Sequence, residues 1–178
     1  MLPPAFLPFW LNGHDSLPPA KGQGQALGIL LGVCGIAAFY ASLYAPSPSG
    51  AWGWYPRLIK PAWAPPPSFT GPVSTVFYLV LAISVWRIWR TGAFRSVPFT
   101  LAGFACILFL QSIWSTLFYG LQSPLLGMTD LAIIAVLATL LWFTYRSLDR
   151  IASLLWVAYL AWVIILFAVN TRIWWLNG

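Results

Sequence analysis

Side chains that do acid–base, nucleophilic or metal chemistry are scarce in this chain of 178 residues. It has one histidine, His14, two cysteines, Cys34 and Cys106, three acids, Asp15, Asp130 and Asp149, and no glutamate. A multi-histidine metal site needs more than that, and a Ser-His-Asp triad within the apolar runs needs a histidine there, where none stands. Cys34 and Cys106 stand singly inside apolar runs and read as buried free thiols rather than a disulfide framework. A solvated loop residue is the simple reading of His14, and a single axial haem contact is the other. No residue is assigned a catalytic role. What the chain has in abundance is aromatic surface, with 12 Trp and 7 Tyr. Each of these rings offers a broad rigid face and one polar handle. That suits holding a flat apolar molecule, and it equally suits the aromatic belts of membrane interfaces. Trp86, Trp89, Trp142, Trp174 and Trp175 lie near the ends of apolar runs and fit the belt.

The elements that must position these rings follow from composition. Apolar residues make up 60% of the chain and charged ones 7%, against about a quarter charged in soluble domains. A water-soluble globule and a disordered chain are both excluded. The net charge of +6 comes from basic residues scattered between apolar runs, so it reads as a topology signal rather than a nucleic-acid surface. Crossing roughly 30 Å of hydrocarbon takes about 20 apolar residues as a helix. Five runs qualify, at residues 26–45, 72–89, 98–119, 124–145 and 151–175. They lack the alternation of a β-barrel strand. The sequence predicts an all-α integral membrane protein, a five-transmembrane-helix bundle formed by residues 26–178.

The connections differ in kind. Three are short and force antiparallel neighbours. The segment 46–71, between the first two spans, is long and rich in proline and tryptophan. Proline restricts both itself and the residue before it, so an ordered lid is expected there. If the N-terminus is cytoplasmic, that side carries Lys21, Arg87, Arg90, Arg95, Arg146 and Arg150, and the opposite side Arg57, Lys60 and Arg172. The positive-inside rule then places the N-terminus in the cytoplasm, with a bacterial inner or intracytoplasmic membrane as the expected location. Residues 1–25 are a separate extension whose prolines forbid a regular helix. The segment reads as a disordered tail, or as a docking arm that presents Phe6, Phe9 and Trp10 to a partner subunit.

The lid and the start of the second span read Trp54-Tyr55-Pro56-Arg57-Leu58-Ile59-Lys60-Pro61-Ala62-Trp63-Ala64-Pro65-Pro66. This block resembles the WYxxLxKPxWxPP signature of the TspO/MBR family, the tryptophan-rich sensory and translocator proteins. Thr75 and Tyr78 fall in register with that family's next motif. Trp114-Ser115 and Gly120 match its third-span spacing, and Asp130 stands where members often place an acid. Tyr159, Trp162, Asn170 and Asn177 match its fifth span. The resemblance runs from about Ala26 to Asn177.

It implies a five-helix bundle whose first loop covers a pocket, binding of a porphyrin, haem or other tetrapyrrole or pigment, and a homodimer in many members. No cofactor is required. The ligand residues it implies are Trp54, Tyr55, Arg57, Lys60, Trp63, Tyr78, Gln111, Trp114, Tyr159, Trp162 and Asn170, with Arg57 and Lys60 placed to meet propionates. The chain departs from the family pattern at Ser74, where a Trp is usual, and at Thr70, where an aromatic is usual. It also departs at Ile107, Gln111, Ala158 and Leu166. Ser74 and Leu166 are expected to remove one aromatic wall and to fill part of the pocket. The leading expectation is a membrane protein that binds a planar lipophilic ligand. The alternative is a structural or assembly subunit of a larger, pigment-bearing membrane complex, docked through residues 1–25. An enzyme acting on porphyrin is the weakest reading, given so few acid–base groups.

Overall fold

Proline marks where the helices begin. The computed structural model describes residues 22–44, 53–91 and 98–178. Its elements are α1 (Gln23–Ser42), α2 (Trp54–Arg57), α3 (Pro67–Arg90), α4 (Pro98–Ser115, continuing as a π-helical turn over Thr116–Gly120), α5 (Pro124–Leu148) and α6 (Arg150–Asn177). Helices α3, α4 and α5 each open on a proline, whose missing N–H costs nothing in the first turn. Ser123 caps α5 by accepting from Leu126 N, and Asp149 caps α6 by accepting from Ala152 N, so each satisfies a free donor of its helix. Helix α3 starts at Pro67, ahead of the expected residue 72, and carries Pro72 inside it. Pro72 sits early enough in α3 that losing one backbone bond to Ser68 does not break the helix.

Among the described residues five helices are long and apolar enough to cross a membrane, and the protein is an all-α, multi-pass membrane protein. Around the bundle the neighbours run α1, α3, α6, α5, α4 and back to α1. The core lies on the inner faces of these helices and centres on Trp156, Tyr159, Tyr145, Phe118, Leu131, Ile134 and Val85. Trp156, which the sequence did not single out, is fully buried and donates from Nε1 to Ala138 O at 2.7 Å. Helix α1 is the least embedded of the five, with only Cys34 and Ala37 buried.

Two polar fastenings close the ends. At one end Arg87 of α3 donates from Nε and Nη2 to both oxygens of Asp149, at 3.0 and 2.9 Å. Burial would raise the Asp149 carboxyl, but the Arg87 guanidinium and the Ala152 N–H outweigh it and hold the group below the usual carboxylate range. At the other end Asn177 accepts from Ile59 N and donates to Ile59 O, both at 2.9 Å. This pair pins the lid to the last turn of α6.

One expectation is corrected here. Cys34 is buried, but Cys106 is exposed on the outer face of α4. The inward stripe of that helix is Phe104, Ile107, Leu108, Gln111, Trp114, Ser115 and Phe118, and Cys106 falls off it. A helix apolar all round does not reveal which of its faces meets lipid. Residues 1–21, with His14, Asp15 and Lys21, the first part of the lid and Arg95 lie outside the described residues, while Gln23–Gln25, expected in the non-helical extension, open α1 because the last proline of that segment, Pro19, lies before them.

Candidate functional site

Under the lid lies a cavity of about 540 Å³, walled by α1, α3, α4 and the lid residues Tyr55 and Pro56. Its rim is formed by exposed residues, Ser42, Pro67, Ser68, Gly71 and Thr75, and its floor by buried ones, Tyr78, Gln111, Trp114, Ser115 and Tyr119. That volume sits within the range of about 300–1,000 Å³ typical of small-molecule sites.

The floor is built by local geometry. Helix α4 ends in a π turn, closed by Leu121 N donating to Thr116 O at 2.8 Å. Such turns recur at functional sites because they rotate side chains off the regular helical register. Here consecutive Phe118 and Tyr119 are both buried. Phe118 stacks on Trp114 with centroids 5.4 Å apart and planes at 6°. Tyr119 meets both Trp114 and Tyr55 edge-on, at 5.7 and 5.3 Å. The lid ring is thereby locked into the aromatic cluster of α4, and its burial pushes the Tyr55 phenol above the usual tyrosine range. Gly120 completes the turn against the residues that follow α1, where an added Cβ would lie 3.0 Å from Tyr44 Cδ1.

The polar groups of the floor include donors that no protein acceptor engages. Tyr159 OH donates to Gln111 Oε1 at 2.9 Å, which leaves the amide nitrogen as the group Gln111 can offer. Tyr78 OH and Trp114 Nε1 are buried without a protein partner. Behind Trp114 a second cavity of about 20 Å³ is lined by Leu166, Val169, Asn170 and Ile173 of α6, room for a single water. Asn170 Oδ1 is also buried without a partner. Trp114, Tyr119, Tyr55 and Thr70 border both spaces and form the partition between them.

Four of the residues expected at a ligand line the main cavity: Tyr55, Tyr78, Gln111 and Trp114. Tyr159 stands behind them and orients Gln111. Trp54 packs edge-on against Phe118 at 5.6 Å and braces the cluster from the lid. Asn170 borders only the small cavity. Trp162 is buried against Phe77, stacked at 5.8 Å and 17°, and does not reach the main space. Trp63 is 57% exposed on the lid. Arg57 is exposed and outside the lining. Lys60 is committed elsewhere, for its Nζ donates to the carbonyls of Tyr55, Pro56 and Leu58 at 2.9, 3.2 and 2.8 Å and lies 4.9 Å from the Tyr55 ring centroid. An ammonium has three donors, and all three are used to brace the lid.

Ser74 lines the cavity. Leu166 fills space only in the small cavity, so the main one is not obstructed by it. Sequence reasoning missed Tyr119, Ser68 and the α1 residues Ala38, Ala41 and Ser42. The π turn that brings Tyr119 inward leaves no periodic signal, although its position directly before Gly120 in the third-span motif was a hint.

Comparison with known proteins bears on what this site handles. The model of the TspO/MBR family matches residues 28–176. The chain is 32% identical over 156 residues to the tryptophan-rich protein TspO of Chlorobaculum tepidum, covering 87% of this chain and 98% of that one. It is 29% identical over 148 residues to the protein CrtK of Rhodobacter capsulatus, covering 81% and 88%. It is 28% identical over 141 residues to the translocator protein of Ovis aries, covering 72% and 83%.

Proposed function

Because the chain belongs to the TspO/MBR family, we propose that its lidded cavity binds a tetrapyrrole or a similar planar lipophile, in a handling or sensing role in pigment metabolism. The observation that carries this is the cavity of about 540 Å³ between the lid residues Tyr55 and Pro56 and a floor of Tyr78, Gln111 and Trp114. Such a space fits a broad, flat ligand that stacks on Trp114 and Tyr55 and places an oxygen or nitrogen acceptor near the floor donors. Tyr159 contributes by fixing the Gln111 amide before the ligand arrives, which lowers the ordering cost of binding. Asn177 and the Tyr55 cluster fasten the lid beside the site.

The test is porphyrin titration of the purified protein in lipid nanodiscs, read by quenching of tryptophan fluorescence. Saturable binding is expected. Replacing Gln111 by Leu removes one hydrogen bond, worth about 0.5–1.5 kcal/mol, and should weaken affinity roughly two- to tenfold. Non-saturable quenching, or equal affinity in Gln111→Leu and Trp114→Leu, places the ligand elsewhere.

A further inference from the structure

The charges of the described residues avoid the cavity. Among the described residues, no lysine, arginine, histidine or acid lines it. The lid residues outside the description, 45–52, contain none either. The two lid cations that could have reached in are disposed of otherwise: Lys60 spends its donors on three backbone carbonyls, and Arg57 lies outside the lining. What the floor offers instead is neutral. Tyr78 OH and Trp114 Nε1 are unpartnered donors, and Gln111 has its oxygen engaged by Tyr159. The residues bearing these groups are 3%, 6% and 6% exposed.

From this we infer that the cavity selects uncharged ligands: planar lipophiles whose polar atoms are neutral acceptors, such as ester, keto or ether oxygens, in preference to free carboxylates. The inference refines the tetrapyrrole reading above and rests on it for the natural ligand. A carboxylate carried into this space meets donors but no counter-charge, and an unpaired buried ion costs far more than a neutral oxygen. A ligand bearing carboxylates therefore binds with them held out at the rim, beside Ser68 and Gly71, or binds poorly. An esterified or otherwise neutral form can enter whole.

The experiment uses the full chain in nanodiscs and two matched pairs of probes, with free concentrations corrected for partition into protein-free discs. One pair is protoporphyrin IX and its dimethyl ester. The other is 1-pyrenecarboxylate and 1-pyrenemethanol, planar lipophiles that differ in charge. The neutral member of each pair should bind roughly tenfold tighter or better, as expected when an ion must be left unpaired. In Ser68→Lys, which adds a cation at the exposed rim, the gap within each pair should narrow. Free acids that bind as tightly as their neutral partners overturn the inference while leaving the tetrapyrrole reading intact. Pyrenes that obey the neutral preference while neither porphyrin binds overturn the tetrapyrrole reading and leave the charge selection standing. Absence of saturable binding by all four probes overturns both.

Discussion

At the scale of the residue, Lys60, Arg87 and Asp149 put their charges to structural use. Asp149 shows this best: one carboxylate caps α6 and holds Arg87 in a two-pronged pair. Its folded pKa lies below the ordinary carboxylate value. The stabilisation is therefore complete above the unfolded value of about 3.9 and is lost as pH falls through the folded one. Thermal melts of the wild type should lose stability on acidification below that value, and Asp149→Asn should lose less over the same range. Equal acid losses in both proteins would mean that the pair does not control this limb. The thiols make a second case. A membrane-permeant, apolar maleimide should modify Cys106, which faces lipid, well before Cys34, which is buried. Sequence reading took both thiols as buried because hydrophobicity is uniform around α4. Of the residues that the spaced motifs name, Tyr55, Tyr78, Gln111 and Trp114 line the cavity, whereas Lys60 turns its ammonium onto the carbonyls of its own loop. A lysine's sequence position does not tell whether its ammonium faces a ligand or caps its own backbone.

At the scale of the element, the lid is the informative piece. Over its described part, from Gly53 on, the structure supplies the fastenings that the sequence could not: the Asn177 pair, the Lys60 brace and the edge-on contacts of Tyr55. Asn177→Ala removes both hydrogen bonds to Ile59. Each is worth at most about 1 kcal/mol at an exposed site, so the bundle should keep its melting temperature while the lid loosens. Hydrogen exchange at the Ile59 amide is the direct readout, and unchanged protection there would show that the Tyr55 cluster alone holds the lid. The π turn is the other element that the sequence hid. Substituting Gly120 by Ala drives a methyl group against the Tyr44 ring. The expected result is a shifted turn and a destabilisation of about 1–3 kcal/mol, in the range of overpacked sites, measured by thermal unfolding.

At the scale of the whole molecule, five spans and their order were readable because length and apolarity suffice to identify a membrane helix. Their ends were less so: α3 starts inside what composition marks as loop, since three consecutive prolines look like a break until the last is seen to start a helix. The ring order α1, α3, α6, α5, α4 was not readable, for nothing in an apolar helix says which neighbour it meets. The ends of the ring do set which charges share a side. Arg87, Arg90, Arg146 and Arg150 lie at the end opposite Arg57, Lys60 and Arg172, so reporters at Gly178 and in the lid should share the non-cytoplasmic side. A reporter at Gly178 active only in the cytoplasm would reverse this orientation. The cavity rim carries a last consequence. Gly71 and Thr75, both exposed and both at the rim, sit about 6 and 12 Å along α3 from Pro67 at 1.5 Å per residue. The opening thus reaches down beside the acyl chains, and a lipophile dissolved there approaches by diffusion in two dimensions. Its effective concentration is a mole fraction of the bilayer. Isotherms taken at several protein-to-lipid ratios should fan apart when plotted per litre and collapse onto one curve when plotted per mole of lipid.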